Sequence, residues 1–289
     1  MVALETAFLT SGLPVEARLS TAASMAGAVR DHGANPAFVG LLAGEPVVGI
    51  DERGLERLAE SGGKLSTRDL PVAMARGENG GTTVAATLFL AQRAGIGVMA
   101  TGGIGGVHPA AIPPGDEPGP FAARDESADL FELSRTPMTL VCSGAKAILD
   151  LPATLERLDT LGVTVVGYAT DELPAFWSAS SGLRLTQRVD SARDAAEVGR
   201  QARALGMPGA VLVCVPPPEE AALPVEEGER AIARAVEEGR TLGIMGGALT
   251  PFLLGRIAEI TEGRSLRANV ALLENNAAVA ADIAMATGR

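Results

Sequence analysis

The chain has 289 residues, 47% of them hydrophobic, and a formal net charge of −11. That apolar content suffices for a large core and excludes a disordered chain. An acidic balance without any Lys/Arg stripe, and aromatic residues at only 3%, exclude a phosphate-backbone binder and a base-stacking platform for nucleic acid.

In chain order, "MVALETAF" reads as a strand whose start at Met1 looks like a strand interior, so a preceding segment is expected. A helix follows over 16–32 and ends at Gly33. "AFVGLLAGEPVVGI" reads as a hairpin about "AGEP" and "DERGLERLAES" as a helix. "TTVAATLFLAQRAG" is a helix apolar nearly all round, hence buried. The runs "IGVMATGG", "MTLVCSG", "VTVVGYAT" and "AVLVCVP" are of strand length, with helices around 192–205, 225–240, 251–261 and 265–287. Continuous apolar strands separated by helices predict an α/β protein with a central, largely parallel or mixed sheet covered on both faces. Residues 108–124 are Pro/Gly-rich and read as a long surface loop; no linker divides the chain, so one domain over 1–289 is expected.

No apolar run approaches the roughly 18–20 residues needed to span a bilayer, and the N-terminus lacks a signal peptide's basic region. Cys142 and Cys214 lie in apolar runs and read as reduced, buried thiols of a cytoplasmic protein. With two cysteines and two histidines in all, too few soft ligands lie near one another for a closed zinc site, and any metal is expected on oxygen.

Ligands of such sheets gather at the carboxyl ends of the strands, where polar residues following the apolar runs should converge. Lys146, in "LVCSGAKAILDL", stands among apolar neighbours. An ammonium there must be paired, reach water, or lose its proton. It is expected in the first turn of a helix, where the dipole favours the neutral, nucleophilic amine; the alternative is a lysine reaching solvent. Glu5, inside an apolar run, is a buried acid with a raised pKa, a buried acid satisfied by a partner, or an exposed edge residue at the chain start. The glycines of "ATGGIGGVH" match neither dinucleotide nor P-loop spacing. Their amides could cradle a phosphate with Thr101 and His108 assisting, or they could serve a turn needing positive φ. Lys64 reads as solvated surface and Arg68–Asp69 as a local ion pair. Asp125, Glu126, Ser127 and Asp129 form either an oxygen-rich Mg²⁺/Mn²⁺ site or a helix cap.

The segments "VALE", "LSTRDLP", "GGTTVAAT", "ATGGIGGVH", "DESADL", "VCSGAKAILD", "TLGVTVVGY", "LPAF", "TPFLL" and "RANVALLENNA", in this order, resemble the pseudouridine-5'-phosphate glycosidase family over essentially the whole chain. The resemblance implies a three-layer α/β/α fold, a homotrimer and one Mn²⁺ per subunit. The implied activity is reversible cleavage of the C–C glycosidic bond of pseudouridine 5'-phosphate to uracil and ribose 5-phosphate. By motif, Lys146 is the implied nucleophile, Glu5 the proton donor and Asp125 the metal site. Lys64, Val84, Ser127, Ala128 and Asp129 are the implied substrate contacts, and Thr101, His108 and Asn269 are expected as further ones.

The sequence departs from the family pattern at Ser11, where a histidine is usual, at Val215, where an asparagine is usual, and at Ala179, where an arginine is frequent. The loop before Asp125 is longer and an N-terminal extension is missing. Because these positions are read as pocket-lining, altered substrate choice is expected. Two alternatives follow: a C-glycosynthase joining ribose 5-phosphate to an aromatic aglycone, and a non-catalytic sugar-phosphate-binding protein.

Overall fold

A computed structural model describes residues 1–109, 125–244 and 249–287, so most of the loop expected over 108–124 lies outside the described residues. The first strand, β1 (Val2–Leu4), is followed by a π-helical turn at Phe8–Gly12 and by α1 (Val15–Asp31). Next come β2 (Pro36–Leu42), β3 (Glu45–Val48), α2 (Glu52–Ser61), β4 (Gly63–Leu65), α3 (Leu70–Ala75) and β5 (Gly80–Thr82). The middle of the chain supplies α4 (Val84–Arg93), β6 (Val98–Ala100), α5 (Ala128–Leu133), β7 (Thr139–Cys142), α6 (Leu151–Thr160) and β8 (Thr164–Tyr168). It closes with β9 (Arg188–Val189), α7 (Ala192–Ala204), β10 (Val211–Cys214), α8 (Val225–Thr241), α9 (Leu249–Ile260) and α10 (Arg264–Thr287).

The strands form one sheet in the order β4-β5-β2-β1-β6-β7-β10-β8-β9, with β3 paired to β2. The run from β2 through β9 is parallel, whereas β3 and β5 pair antiparallel to β2. The mixed α/β sheet expected from the apolar runs is therefore present. β2 and β3 make the expected hairpin, turned by Ala43 and Gly44, both at positive φ.

Chain direction sets the layers. The parallel crossover from β1 through α1 runs to β2 on one side, and that from β6 through α5 runs to β7 on the other. Right-handed crossovers in opposite directions put α1 and α5 on opposite faces. Consistently, α10 packs across β1, β6 and β7 between α1 and α7, while α4 packs on β1 and β2 beside α5. Strand order therefore reverses between β1 and β6, which is where such sheets open a crevice at their carboxyl edge.

Two expectations need correction. The strand predicted across "MVALETAF" stops at Leu4, because the backbone N–H of Thr6 turns to the carbonyl of Thr82 and the Thr6 hydroxyl caps Thr82 N–H at 3.0 Å. Glu5 therefore does not sit inside a strand; it emerges at the carboxyl end of β1. The short elements β4, β5, α3 and β9 were also not foreseen.

The central strands have no exposed face: Leu140, Val141, Leu212 and Val213 are all fully buried. Replacing Leu212 by Ala should lower stability by about 2–5 kcal/mol, read as a fall in the denaturant midpoint at unchanged m-value.

Candidate active site

Glu5 and Thr101 follow β1 and β6, the two strands flanking the reversal point. Glu5 is 8% exposed, and the Thr101 hydroxyl donates a hydrogen bond to its Oε1. Burial raises the carboxyl pKa. The nearby Lys146 charge, the Thr101 hydrogen bond and Lys64 act against that rise, while Asp129 adds to it. The outcome favours the protonated form required of a general acid.

Lys146 is positioned by backbone pairing that outlasts the strands. Thr101 N–H donates to Val141 O, Ser143 N–H to Gly102 O, Ile104 N–H to Gly144 O and Lys146 N–H to Ile104 O, at 2.9–3.1 Å. The lysine therefore stands on a rigid extension of the β6–β7 ladder. This corrects the expectation of a helical first turn: α6 begins only at Leu151, so the helix dipole plays no part at Lys146. Its neighbours Cys142, Ser143 and Ala145 are buried, but Lys146 itself is half-buried and lines a cleft. Gly144 makes this path possible. It holds φ of +78°, and a Cβ there would lie 2.3 Å from the Pro174 carbonyl oxygen.

The glycine run is not the positive-φ turn that one of the two expectations required. Gly102, Gly103, Gly105 and Gly106 do not take positive φ. They are small because neighbours approach closely: a Cβ at Gly103 would meet the Phe176 ring at 2.7 Å, and one at Gly105 would meet Ser127 Oγ at 2.2 Å. Four amides of the run are engaged within the protein. The N–H groups of Ile104, Gly105, Val107 and His108 already donate to Gly144 O, Asp129 Oδ2, Thr154 Oγ1 and Asp125 O.

Sequence reasoning missed Asn276. It is fully buried on α10; its Nδ2 donates to Thr101 O at 2.9 Å and to Ser143 Oγ at 3.1 Å, and its Oδ1 accepts from Ser143. One amide thus ties the residue bonded to Glu5 to the segment leading to Lys146. The only sequence signal was a polar residue inside the apolar face of a helix.

The cleft is lined by Glu5, Lys64, Lys146, Phe176, Asn269 and Ser11 among others, and encloses about 550 Å³ including its open side. Lys64 is exposed, as expected, but it is on β4 rather than in a loop and lines this cleft. Its pKa is lowered by burial and then by the charge of Lys146, against Asp129 and Glu5. Burial also lowers the pKa of His108, with Lys146 and Lys64 acting in the same direction and Asp125 opposing. Glu5, Lys64 and Lys146 on the cleft and the half-buried His108 beyond its lining thus form one electrostatic group.

Other expected contacts stand behind the cleft. Thr101 and Val84 are buried, and the Asp129 carboxylate accepts from Ala85 N–H at 2.9 Å and Gly105 N–H at 2.8 Å. Ser127 is the cap of α5, accepting from Asp129 N–H, and Ala128 is exposed beside it. Asp125 is exposed, while Glu126 pairs with Arg157 at 2.9 Å. Among the described residues no group of three His, Cys, Asp or Glu could hold a metal. The Arg68–Asp69 pair is present at 3.6 Å but exposed and worth little. Of the three departures read as pocket-lining, only Ser11 lines the cleft. Val215 is a core residue continuing β10, its N–H on Cys142 O, and Ala179 is exposed outside it.

A buried acid and two amines at the reversal point of an α/β sheet define an enzyme site for acid–amine chemistry on a small substrate. Residues 1–286 match the family described as indigoidine synthase A like protein, and the chain belongs to that family. A pseudouridine-5'-phosphate glycosidase of Gemmatimonas aurantiaca is 51% identical over 99% of this chain and 90% of its own length. The crystal structure of an indigoidine synthase A-like protein from Thermotoga maritima superposes with a TM-score of 0.90 at 37% identity, covering all of this chain and 93% of that one. That of the prealnumycin C-glycosynthase AlnA in complex with ribulose 5-phosphate gives 0.86 at 38% identity, over 99% and 91% of the two chains.

The Thr101 hydroxyl stabilises the charged form of Glu5, so Thr101→Val should raise the Glu5 pKa further, followed by NMR of carboxyl-labelled glutamate. Asn276→Leu leaves the Thr101 carbonyl and Ser143 hydroxyl unpaired and should cost about 1–3 kcal/mol in unfolding free energy.

Proposed function

We propose that this enzyme is a pseudouridine-5'-phosphate glycosidase that works through a lysine imine. The observation that carries the reading is the juxtaposition of Glu5, held toward its protonated form, with Lys146 on a rigid backbone in one cleft. The glycosidase relative at 51% identity over nearly the full chain supports the substrate.

The chemistry follows from the bond to be broken. A glycosidase acting on a C–O bond protonates the leaving oxygen, but the leaving atom here is carbon 5 of uracil, which has no lone pair. Glu5 instead delivers its proton to the ribose ring oxygen while the neutral Lys146 amine attacks C1', opening the ring. The nitrogen lone pair then forms the C=N bond as the C1'–C5 bond breaks. Its electrons go to uracil, which takes a proton at C5. Water adds to the imine, releasing ribose 5-phosphate and the free amine.

Lys64 and His108, with Ser127 and Ala128 at the α5 cap, are proposed to face the phosphate, and Asn269 the base. Thr101 and Asp129 are better described as positioning residues, because their side chains are already bonded to Glu5 and to backbone amides. The exposed Asp125 suits Mn²⁺ only as an open site, one carboxylate completed by water and substrate phosphate. Bound there, the ion would neutralise phosphate charge.

We extend the proposal to a homotrimer, on the family resemblance alone, and to the cytoplasm, on the free, adjacent, buried thiols of Cys142 and Cys214. Among the described residues no helix is long and apolar enough to cross a membrane. The structural likeness to a C-glycosynthase favours a second reading in which the same steps run toward bond formation.

The deciding experiment is uracil release from pseudouridine 5'-phosphate with Mn²⁺, followed by absorbance. Release that stops with chelator supports the glycosidase and the metal together. No release from folded, metal-loaded protein removes the glycosidase reading. Lys146→Ala should lower kcat by about a thousandfold or more, and borohydride should trap substrate on the wild-type chain but not on this variant. Because burial raises the Glu5 pKa, its proton persists to higher pH than that of an exposed glutamate. kcat/KM should therefore fall as pH rises through that value. Glu5→Gln should remove this alkaline limb and lower the rate by about 10²–10⁴-fold.

A further inference from the structure

Helices α8 and α9 form a hairpin that is braced within itself. The Arg256 guanidinium on α9 donates to both carboxylate oxygens of Glu238 on α8, to Oε1 at 3.1 Å, and Arg234 adds a further bond to that carboxylate at 3.0 Å. Gly239 of α8 lies so close to α9 that a Cβ there would stand 3.1 Å from the Phe252 ring. Among the described residues α8 packs on α9 far more than on any other element, while α9 meets α10 and the π-helical turn more lightly.

The hairpin is held at one end. Leu223 N–H donates to Trp177 O at 2.8 Å and the Ser178 hydroxyl to Leu223 O at 2.9 Å, just before α8 begins. At the exit Glu262, with φ of +51°, and Gly263, with φ of +76°, turn the chain from α9 into α10. Arg264, opening α10, pairs with Glu227 in the first turn of α8 at 2.6 Å, so entry and exit are tied together. The opposite end, where α9 starts, stands over the catalytic cleft. Thr250, Pro251 and Leu254 line that cleft with Glu5 and Lys146. A few residues at the ends of helices are the usual place for a hinge rotation to be absorbed.

Packing under α9 is open. A space of about 600 Å³, including its mouth, lies between Leu254, Gly255 and Ala258 of this helix and Leu13, Pro14 and Leu266. Protein interiors are close-packed, and apolar groups facing a gap forfeit dispersion contacts. A Cβ at Gly255 would meet nothing within 4 Å.

We propose that α8 and α9 are a lid, which swings as one body about the Leu223 and Glu262–Gly263 junctions and closes this space and the mouth of the cleft over a bound sugar phosphate. The proposal rests on the imine chemistry argued above. Closure keeps water from the Lys146 imine until the C1'–C5 bond has broken; opening then admits the water that releases ribose 5-phosphate.

The test measures hydrogen–deuterium exchange by mass spectrometry before and after ribose 5-phosphate is fixed on Lys146 with borohydride. The aldehyde and the amine lose water to form the imine, and hydride reduces it to a secondary amine. Amides of α8 should exchange about threefold or more slowly in the adduct. No residue of α8 lines the cleft, so direct shielding by the sugar would protect α9 alone. Two variants put the same question to the reaction, at a residue that lines the space under the lid and not the catalytic cleft. Gly255→Ala, whose methyl fits the open space, should release uracil within about threefold of the wild-type rate. Gly255→Phe, whose ring occupies the space that closure needs, should lose about tenfold or more in kcat. Unchanged α8 exchange in an adduct verified by mass, or full activity of folded Gly255→Phe, would overturn the lid. If Gly255→Phe does not fold, the exchange measurement on wild type decides alone. Absence of any adduct on wild type would instead remove the imine reading, and the lid with it.

Discussion

The amide of Asn276 holds together the two strand ends on which the chemistry depends. It reaches from the buried face of α10 to the Thr101 carbonyl after β6 and to the Ser143 hydroxyl after β7. A buried amide is costly unless its donors and acceptor are matched, so the match fixes how far apart the two segments lie. Helix α10, packed between α1 and α7 across the central strands, is stiff enough to make that distance a property of the whole molecule. The Glu5 hydrogen bond and the ladder carrying Lys146 both branch from this point.

Electrostatics then acts on groups already held in place. For Glu5 the desolvation penalty exceeds the attraction of Lys146 and Lys64, so the carboxyl is driven toward neutrality although both partners are cations. The pKa of Lys64 is lowered first by burial and then by the charge of Lys146, against Asp129 and Glu5. Sugar-ring opening needs a protonated acid, and that is the form which burial of Glu5 favours. The cleft selects this state by shape as much as by charge, because burial of Glu5 is the leading cause.

What could be read from sequence divides along the same lines. Long apolar runs and their turns disclosed β7, β8, β10 and the hairpin, since a fully buried strand must be apolar throughout. The lysine and the carboxylate were legible as chemistry out of place among apolar neighbours, and motif order tied them together. Their exact settings were not legible. Whether Lys146 opens a helix or extends a ladder depends on backbone bonds to Ile104, forty-two residues away in sequence. The glycine run looked like a conformational device, yet its requirement is tertiary: Phe176 and Ser127 press against it from distant segments. Asn276 was hidden for the same reason, as its partners are 133 and 175 residues away.

The departures from the family pattern take on a different weight once placed. Val215 is part of the core and Ala179 faces solvent, so neither changes what a ligand in the cleft would touch. Ser11 is the exception. It belongs to the π-helical turn, its hydroxyl is directed back to the Ala7 carbonyl, and it lines the cleft that holds Glu5 and Lys146. A serine there presents a smaller side chain than the imidazole usual in the family, and its hydroxyl is already engaged with the backbone. The argument from lost polar groups to altered substrate choice therefore narrows to one position on the wall of the cleft.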